Sequence, residues 1–273
     1  MNRLLYQSHT GTIVFSLHYL KLCNTIVGAT RTRDSVSNKL GNERTMSIFN
    51  SIGGYRYTKL LLVTISTLML LAGLSRVLHE LMLVAGTNVS DQLSRGKSVT
   101  ADDLDLLVKS RLRAIQFYST PKAYSDLGTA YLALSGLANE LENRRRYARL
   151  AETAANNGLT LSPLNSYLWL KLASARVVLG NGHQDGAVEA WRKSIETAKF
   201  EPFILFQRVH VGILLFDSLS QEEIALLKEQ LVLSYHWNRG QLWQYAHAHK
   251  LFDWMAFLTE PNSAMSTYLK PKQ

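Results

Sequence analysis

A chain of 273 residues is long enough for one or two domains with a real core, and its sparse glycine and proline (16 and 5) disfavour a sandwich of many short strands. A single cysteine, Cys23, excludes an internal disulfide and a multi-cysteine metal site. The net charge of +9 suggests nucleic acid until it is mapped: residues 1–59 carry eight Lys and Arg against two acids, residues 99–273 nineteen against seventeen. The body is therefore close to neutral, whereas a nucleic-acid reader needs a basic face on its folded part, so no nucleic-acid partner is expected.

Residues 1–45 show little structural pattern. TIVFSLHYL (residues 12–20) is apolar, but Lys21 interrupts it, and RTRDSVSNKLGNERT (residues 31–45) lacks helical or strand period. Two readings stand: a disordered cytoplasmic tail, or an over-extended start with translation beginning at Met46.

From Met46 the layout becomes conventional, and residues 46–86 read as a basic segment plus a transmembrane helix. YRYTKLLLVTISTLMLLAGLSR (residues 55–76) has no charge from Leu60 to Ser75 and is flanked by Lys59 and Arg76. Sixteen residues fall short of the ~20 that cross a bilayer as a helix. Lys59 and Arg76 can snorkel, and Val77 and Leu78 extend the apolar face. No small-residue cleavage site or lipid-modified cysteine follows, which favours an uncleaved anchor over a signal peptide. Positive charge before the run predicts an N-in, C-out orientation, placing the body in the periplasm of a bacterial cell, at its inner membrane. RVLHELMLVAG (residues 76–86) continues the helical pattern, and TNVSDQLSRGKSVT (residues 87–100) reads as a polar linker.

Everything from Ala101 to Leu258 reads as helical. DDLDLLVKSRLRAIQFY (residues 102–118) puts Leu104, Leu107, Val108, Leu112 and Ile115 near one face, with Thr100 as N-cap and acids in the first turn. Pro121 opens a second helix, expected to run to about Ala138. FILFQRVHVGILLF (residues 203–216) is the nearest approach to a strand, but its length favours a buried helix.

Internal similarity organises the body. AETAANNGLTLSP (residues 151–163) carries small residues at Ala151, Ala155 and Gly158 and closes on Pro163; six residues later come Trp169, Leu172 and Ala173. Upstream, AYSDLGTAYLA (residues 123–133) sets out Tyr124, Leu127, Gly128 and Tyr131. Downstream, GAVEAWRKSIETAKFEP (residues 186–202) offers Ala187, Trp191, Ser194 and a late Pro202. This ordered set resembles the tetratricopeptide-repeat superfamily over about residues 121–202, with a degenerate third pair over 203–236. Tyr124 and Trp169 are 45 residues apart against the family's 34, so the extra length is expected in the turns at residues 137–145 and 180–186. The third pair lacks a marked turn but has a capping box, Ser220 with Glu223, opening a helix over 221–235. The resemblance implies an all-α fold, one N-terminal transmembrane helix followed by a short TPR-like solenoid, whose groove holds protein partners.

WNRGQLWQYAHAHKLFDWMAFL (residues 237–258) concentrates aromatic residues at Trp237, Trp243, Tyr245, Phe252, Trp254 and Phe257. It reads as a terminal capping helix, or as an interface or membrane-surface contact. Residues 259–273 read as a flexible C-terminus.

The search for chemistry finds no catalytic, cofactor-binding or metal-binding set. HELML (residues 79–83) begins like a zinc-protease helix, but Leu83 stands where the second histidine is needed. His247 and His249, two apart, diverge by about 200° on a helix. GNGHQDG (residues 180–186) has no Lys-Ser/Thr pair and is a turn. ENRRRYARL (residues 142–150) holds Arg144, Arg145, Arg146 and Arg149, either a solvated helix start or a patch for an anionic partner. The chain is therefore expected not to be an enzyme.

With its single span and degenerate repeats, LWLKLASARVVLG…AVEAWRKSIETAKFEPFILFQRVHVGILL also resembles bacterial accessory proteins of exopolysaccharide synthesis and export. That resemblance implies a non-catalytic helper organising polymerase, ligase or export subunits, with direct polysaccharide contact left open. A scaffold of another envelope machine, secretion or cell-wall assembly, is the alternative.

Overall fold

The computed structural model describes residues 44–259, 261 and 263–269, with side chains from Tyr57 onward except Ala72. Expectations for residues 1–43, Cys23 among them, lie outside the described residues. The chain divides into two units, Met1–Ile65 and Ser66–Gln273. A long helix, α1 (Arg44–Ser94), contributes to both.

In the first unit the described side chains belong to the start of the apolar run. Leu60, Leu61, Leu62, Val63 and Ile65 are all exposed, and Thr64 turns its hydroxyl back to the Leu60 carbonyl at 2.8 Å, so even its polar atom is satisfied within the helix. Judged by length and composition, α1 is the one helix among the described residues able to cross a membrane, and its apolar window is unburied.

In the second unit the same helix changes character. Leu68, Met69, Leu70, Leu71 and Leu74 are exposed on several sides, but from His79 one stripe (His79, Leu83, Gly86, Val89) is buried. Gly86 allows the close approach, since a Cβ there would lie 2.4 Å from Ser110 Oγ. The stretch read as a linker over 87–100 is thus helical to Ser94. Its Thr, Asn, Ser and Asp cover the wet face, while Val89 and Leu93 pack inward. Gly96, at φ +66°, ends it: Gly96 N–H bonds the Leu93 carbonyl and Lys97 N–H the Gln92 carbonyl, a Schellman stop.

Among the described residues nine further helices follow. α2 (Ala101–Phe117) starts at Thr100, whose hydroxyl accepts from Asp103 N–H at 3.2 Å while the Asp103 carboxylate accepts from Thr100 N–H at 3.0 Å. α3 (Pro121–Leu137) has Thr120 as N-cap and proline in its first turn. α4 (Leu141–Leu161) is followed by Ser162 and Pro163, and α5 (Ser166–Leu179) is capped by Asn165. α6 (Gln184–Thr197), α7 (Leu205–Leu214), a single 3-10 turn (Phe216–Ser218) and α8 (Gln221–His249) complete three hairpins. α9 (Phe252–Leu258) and α10 (Ala264–Tyr268) close the described chain. All regular structure among the described residues is helical.

The packing is that of stacked hairpins, as the tetratricopeptide-like reading expects. α3 pairs with α4, α5 with α6 and α7 with α8. Beyond these pairs α3 meets α5 and α5 meets α7, while α4 and α6, and α6 and α8, make no comparable contact. An inner layer of α3, α5 and α7 therefore converges while the outer layer diverges, which curves the stack. Small residues permit it: Ala148, Ala151, Ala154, Ala155 and Gly158 form the buried stripe of α4. A Cβ on Gly158 would meet Leu168 Cδ1 at 2.8 Å and Tyr124 Cβ at 3.1 Å.

Several boundaries differ from the sequence reading. The extra repeat length lies in helix, not turn: residues 138–140 alone separate α3 from α4, and α4 runs for 21 residues. α8 continues past 235 to His249 across a kink at Asn238 (φ −158°, ψ 84°), whose side chain caps the restart by accepting from Gln241 N–H. The aromatic stretch 237–258 is consequently two helices, separated at the left-handed Lys250. Residues 263–269, read as flexible, form a packed turn of helix with Leu269 fully buried.

Three arginines bind successive helices. Arg111 in α2 donates to the Leu83 carbonyl of α1 at 2.7 Å and to Asp126 of α3 at 2.8 Å. Arg176 in α5 donates to Glu152 of α4 and to the Gly186 carbonyl of α6. Arg208 in α7, fully buried, donates to Ser194 and to the Ala198 carbonyl behind α6, and to Gln230 of α8 at 3.4 Å. Each guanidinium is a planar fork that can serve two neighbours at once.

Candidate interaction surface

Where α3 meets α5 in the inner layer, polar groups gather. Asp126 Oδ2 accepts from Arg111 Nε at 2.8 Å and from Lys122 Nζ at 3.2 Å. Lys171 of α5 lays its stem over Gly128 of α3, where a Cβ would come within 3.2 Å of Lys171 Cδ. The Lys171 ammonium ends 5.8 Å from the centre of the Tyr167 ring. Tyr167 donates its hydroxyl to Glu201 at 2.7 Å, and burial first, then that carboxylate, pushes its pKa well up. Burial pushes the Lys171 ammonium down to about 8, Asp126 opposing the shift and Lys122 adding to it. Arg208, nearby, is pushed down to about 10 by burial, with Glu201 opposing.

A second concentration lies where α7 meets the far half of α8. His210 Nδ1 and the Tyr245 hydroxyl are 3.1 Å apart, and the His249 ring centre is 4.8 Å from that of His210 and 4.3 Å from that of Tyr245. Phe206 completes the group against Tyr245 and Trp237. Burial, and secondly the neighbouring His249, lowers the His210 pKa; burial lowers that of His249. Further along, Phe216, Trp254 and Phe257 form an aromatic triad, the last 67% exposed.

The residues that stand out in the sequence take varied places in the fold. His79 is buried and structural: Nδ1 lies 3.0 Å from the Ala114 carbonyl and Nε2 3.3 Å from Thr120 Oγ1, tying α1 to α2 and to the cap of α3. His247 stacks on Trp243, whereas His249 packs against His210, 39 residues earlier. No local pattern could have revealed that pair. Arg144, Arg145, Arg146 and Arg149 are all exposed, with Arg149 paired to Glu142 at 2.8 Å. Trp169 donates its indole N–H to the Pro163 carbonyl at 2.7 Å, which fixes the turn between hairpins. No group of three or more His, Cys, Asp or Glu that could hold a metal occurs among the described residues. Lys171 has no signal in the sequence, for apart from Tyr167 its surroundings come from Asp126 and Gly128 of α3.

No protein-family model matches the chain, and no match was found among curated proteins. Among solved structures the chain is similar to a thermophilic TPR protein of Thermus thermophilus, with 16% identity, a TM-score of 0.45, and coverage of 66% of this chain and 87% of that one. The stacked-hairpin fold rests on its own packing: small-residue contacts at Gly128 and Gly158, a converging inner layer and a diverging outer one.

Proposed function

We propose that the chain is a non-catalytic scaffold, tethered to the bacterial inner membrane by α1, whose inner layer holds a protein of an envelope machine. The observation that carries this reading is the layer asymmetry: α3, α5 and α7 meet one another along the stack, while α4, α6 and α8 do not. The unburied apolar side chains from Leu60 to Leu71, and Leu74 beyond them, support the tether, since a row of exposed leucines is costly in water and at home in lipid. The machine served is exopolysaccharide synthesis or export, on the likeness of residues 168–215 to accessory proteins of that process. A reporter active only in the periplasm, fused after Gln273, tests the orientation: activity is expected, and a silent fusion overturns the tethered periplasmic reading. In-cell crosslinking of the full chain tests the machine. Adducts with polysaccharide polymerase or export subunits support it; adducts with secretion or cell-wall subunits instead replace the machine but keep the scaffold.

A further inference from the structure

We infer that the edge of the stack made by the turns at 118–120, 162–165 and 198–204 lies on the lipid surface from which α1 emerges, with its exposed apolar side chains in the headgroup layer. The inference rests on the tether reading and adds a second contact with the same membrane. It starts at Arg76, which ends the uncharged run of α1. α2 returns antiparallel along α1: the Leu83 carbonyl accepts from Arg111, and His79 Nδ1 lies against the Ala114 carbonyl. Arg76 then donates to the Tyr118 hydroxyl at 3.2 Å, its guanidinium 4.9 Å from the centre of the Tyr118 ring. The turn after α2 is thereby held level with the end of the apolar run, where aromatic and basic side chains settle at a bilayer–water boundary.

Short connections make successive helices antiparallel, so the chain comes back to this edge after α4 and again after α6. Contacts join the three turns. Gly158, near the end of α4, sits against Tyr124 at the start of α3, and Tyr167, at the start of α5, donates to Glu201 in the third turn at 2.7 Å. Each turn, with the helix end beside it, exposes a pair of large apolar side chains: Phe117 and Tyr118, Leu161 and Leu164, Phe200 and Phe203. Leu164 and Phe203 are 78% and 75% exposed. The opposite edge is uneven: Leu137 and Leu141 flank one turn there, but residues 95–100 and 180–183 expose no large apolar side chain. Side chains this open are costly in water and gain by entering lipid. A lipid surface fits them because the pairs recur hairpin after hairpin along one edge, continuous with the end of the apolar run.

The test uses the full chain reconstituted into vesicles of phosphatidylethanolamine and phosphatidylglycerol. In a Cys23→Ser background, an environment-sensitive fluorophore is attached at Leu164→Cys, at Phe203→Cys or, on the opposite edge, at exposed Asn181→Cys. Lipids carrying a nitroxide high on the acyl chain are expected to quench the Leu164 and Phe203 probes about twofold and to leave the Asn181 probe unchanged. Equal quenching at Asn181, or none at both edge positions, overturns the inference. Edge probes that emit to the blue yet stay unquenched mark a protein covering, such as a second copy of this chain, and also overturn it. Alkaline extraction of the same vesicles reports the tether separately. A chain that resists extraction with its edge probes unquenched loses the edge contact alone, and one that is extracted with its edge probes quenched loses the tether alone.

Discussion

Gly158 shows how a single position decides a repeat. Its missing side chain lets α4 settle between Leu168 and Tyr124, so Gly158→Val should cost about 1–3 kcal/mol by overpacking, read as a lower denaturation midpoint with unchanged helicity at low denaturant. That role was legible, because small residues at Ala151, Ala155 and Gly158 have a local spacing. The histidine pair was not. His210 and His249 are joined only by the return of α8 onto α7, and their pKa values are both lowered in the fold. A lowered pKa means the unfolded chain binds protons more readily. The pair's contribution is therefore complete above the ordinary imidazole value, about 6.5, and is lost as pH falls through the folded values. Thermal midpoints measured from pH 7.5 to 5 should fall for the wild type, and the fall should be shallower in His249→Gln. An equal slope in the two would remove His249 from this account. The same two helices also carry His236 and His247, Lys250 follows α8 directly, and Arg208 lies two residues before His210, so His236→Gln and His247→Gln serve as controls.

Among the elements, local chemistry was the legible part. Ser220 and Glu223 form the reciprocal cap anticipated for α8, with Glu223 N–H donating to Ser220 Oγ at 3.3 Å and Ser220 N–H to the carboxylate at 2.8 Å. Ser220→Ala should cost about 1 kcal/mol of stability in chemical denaturation, and Thr100→Ala a similar amount at α2. Pro121 and Pro163 likewise stand where the boundaries were expected. The elements that escaped were those whose polarity comes from one wet face. Residues 87–94 looked like linker because Thr87, Asn88, Asp91 and Ser94 outnumber Val89 and Leu93, yet those two pack against the core shared with α2. The same holds for residues 263–269, where buried Leu269 anchors the turn together with Met265 and Tyr268, which pack against the core. Asn238 also escaped, since a polar residue inside a helical pattern does not announce a break unless its side chain is seen to cap the next turn.

At the scale of the whole molecule, a long apolar helix leads into a stack of hairpins whose inner layer is the proposed surface for a partner. The curvature of the stack follows from α3, α5 and α7 touching while the outer helices do not. Length and composition could bound this architecture but not orient it, because which layer converges depends on contacts between helices separated in the chain by a whole intervening helix. The direct test is photo-crosslinking in the intact cell, with a photoreactive residue placed at Thr129 on inner helix α3 or at Glu189 on outer helix α6. The account predicts discrete adducts with an envelope protein from Thr129 and none from Glu189. Adducts from Glu189 alone, or from neither position, would contradict a scaffold that works through its inner layer.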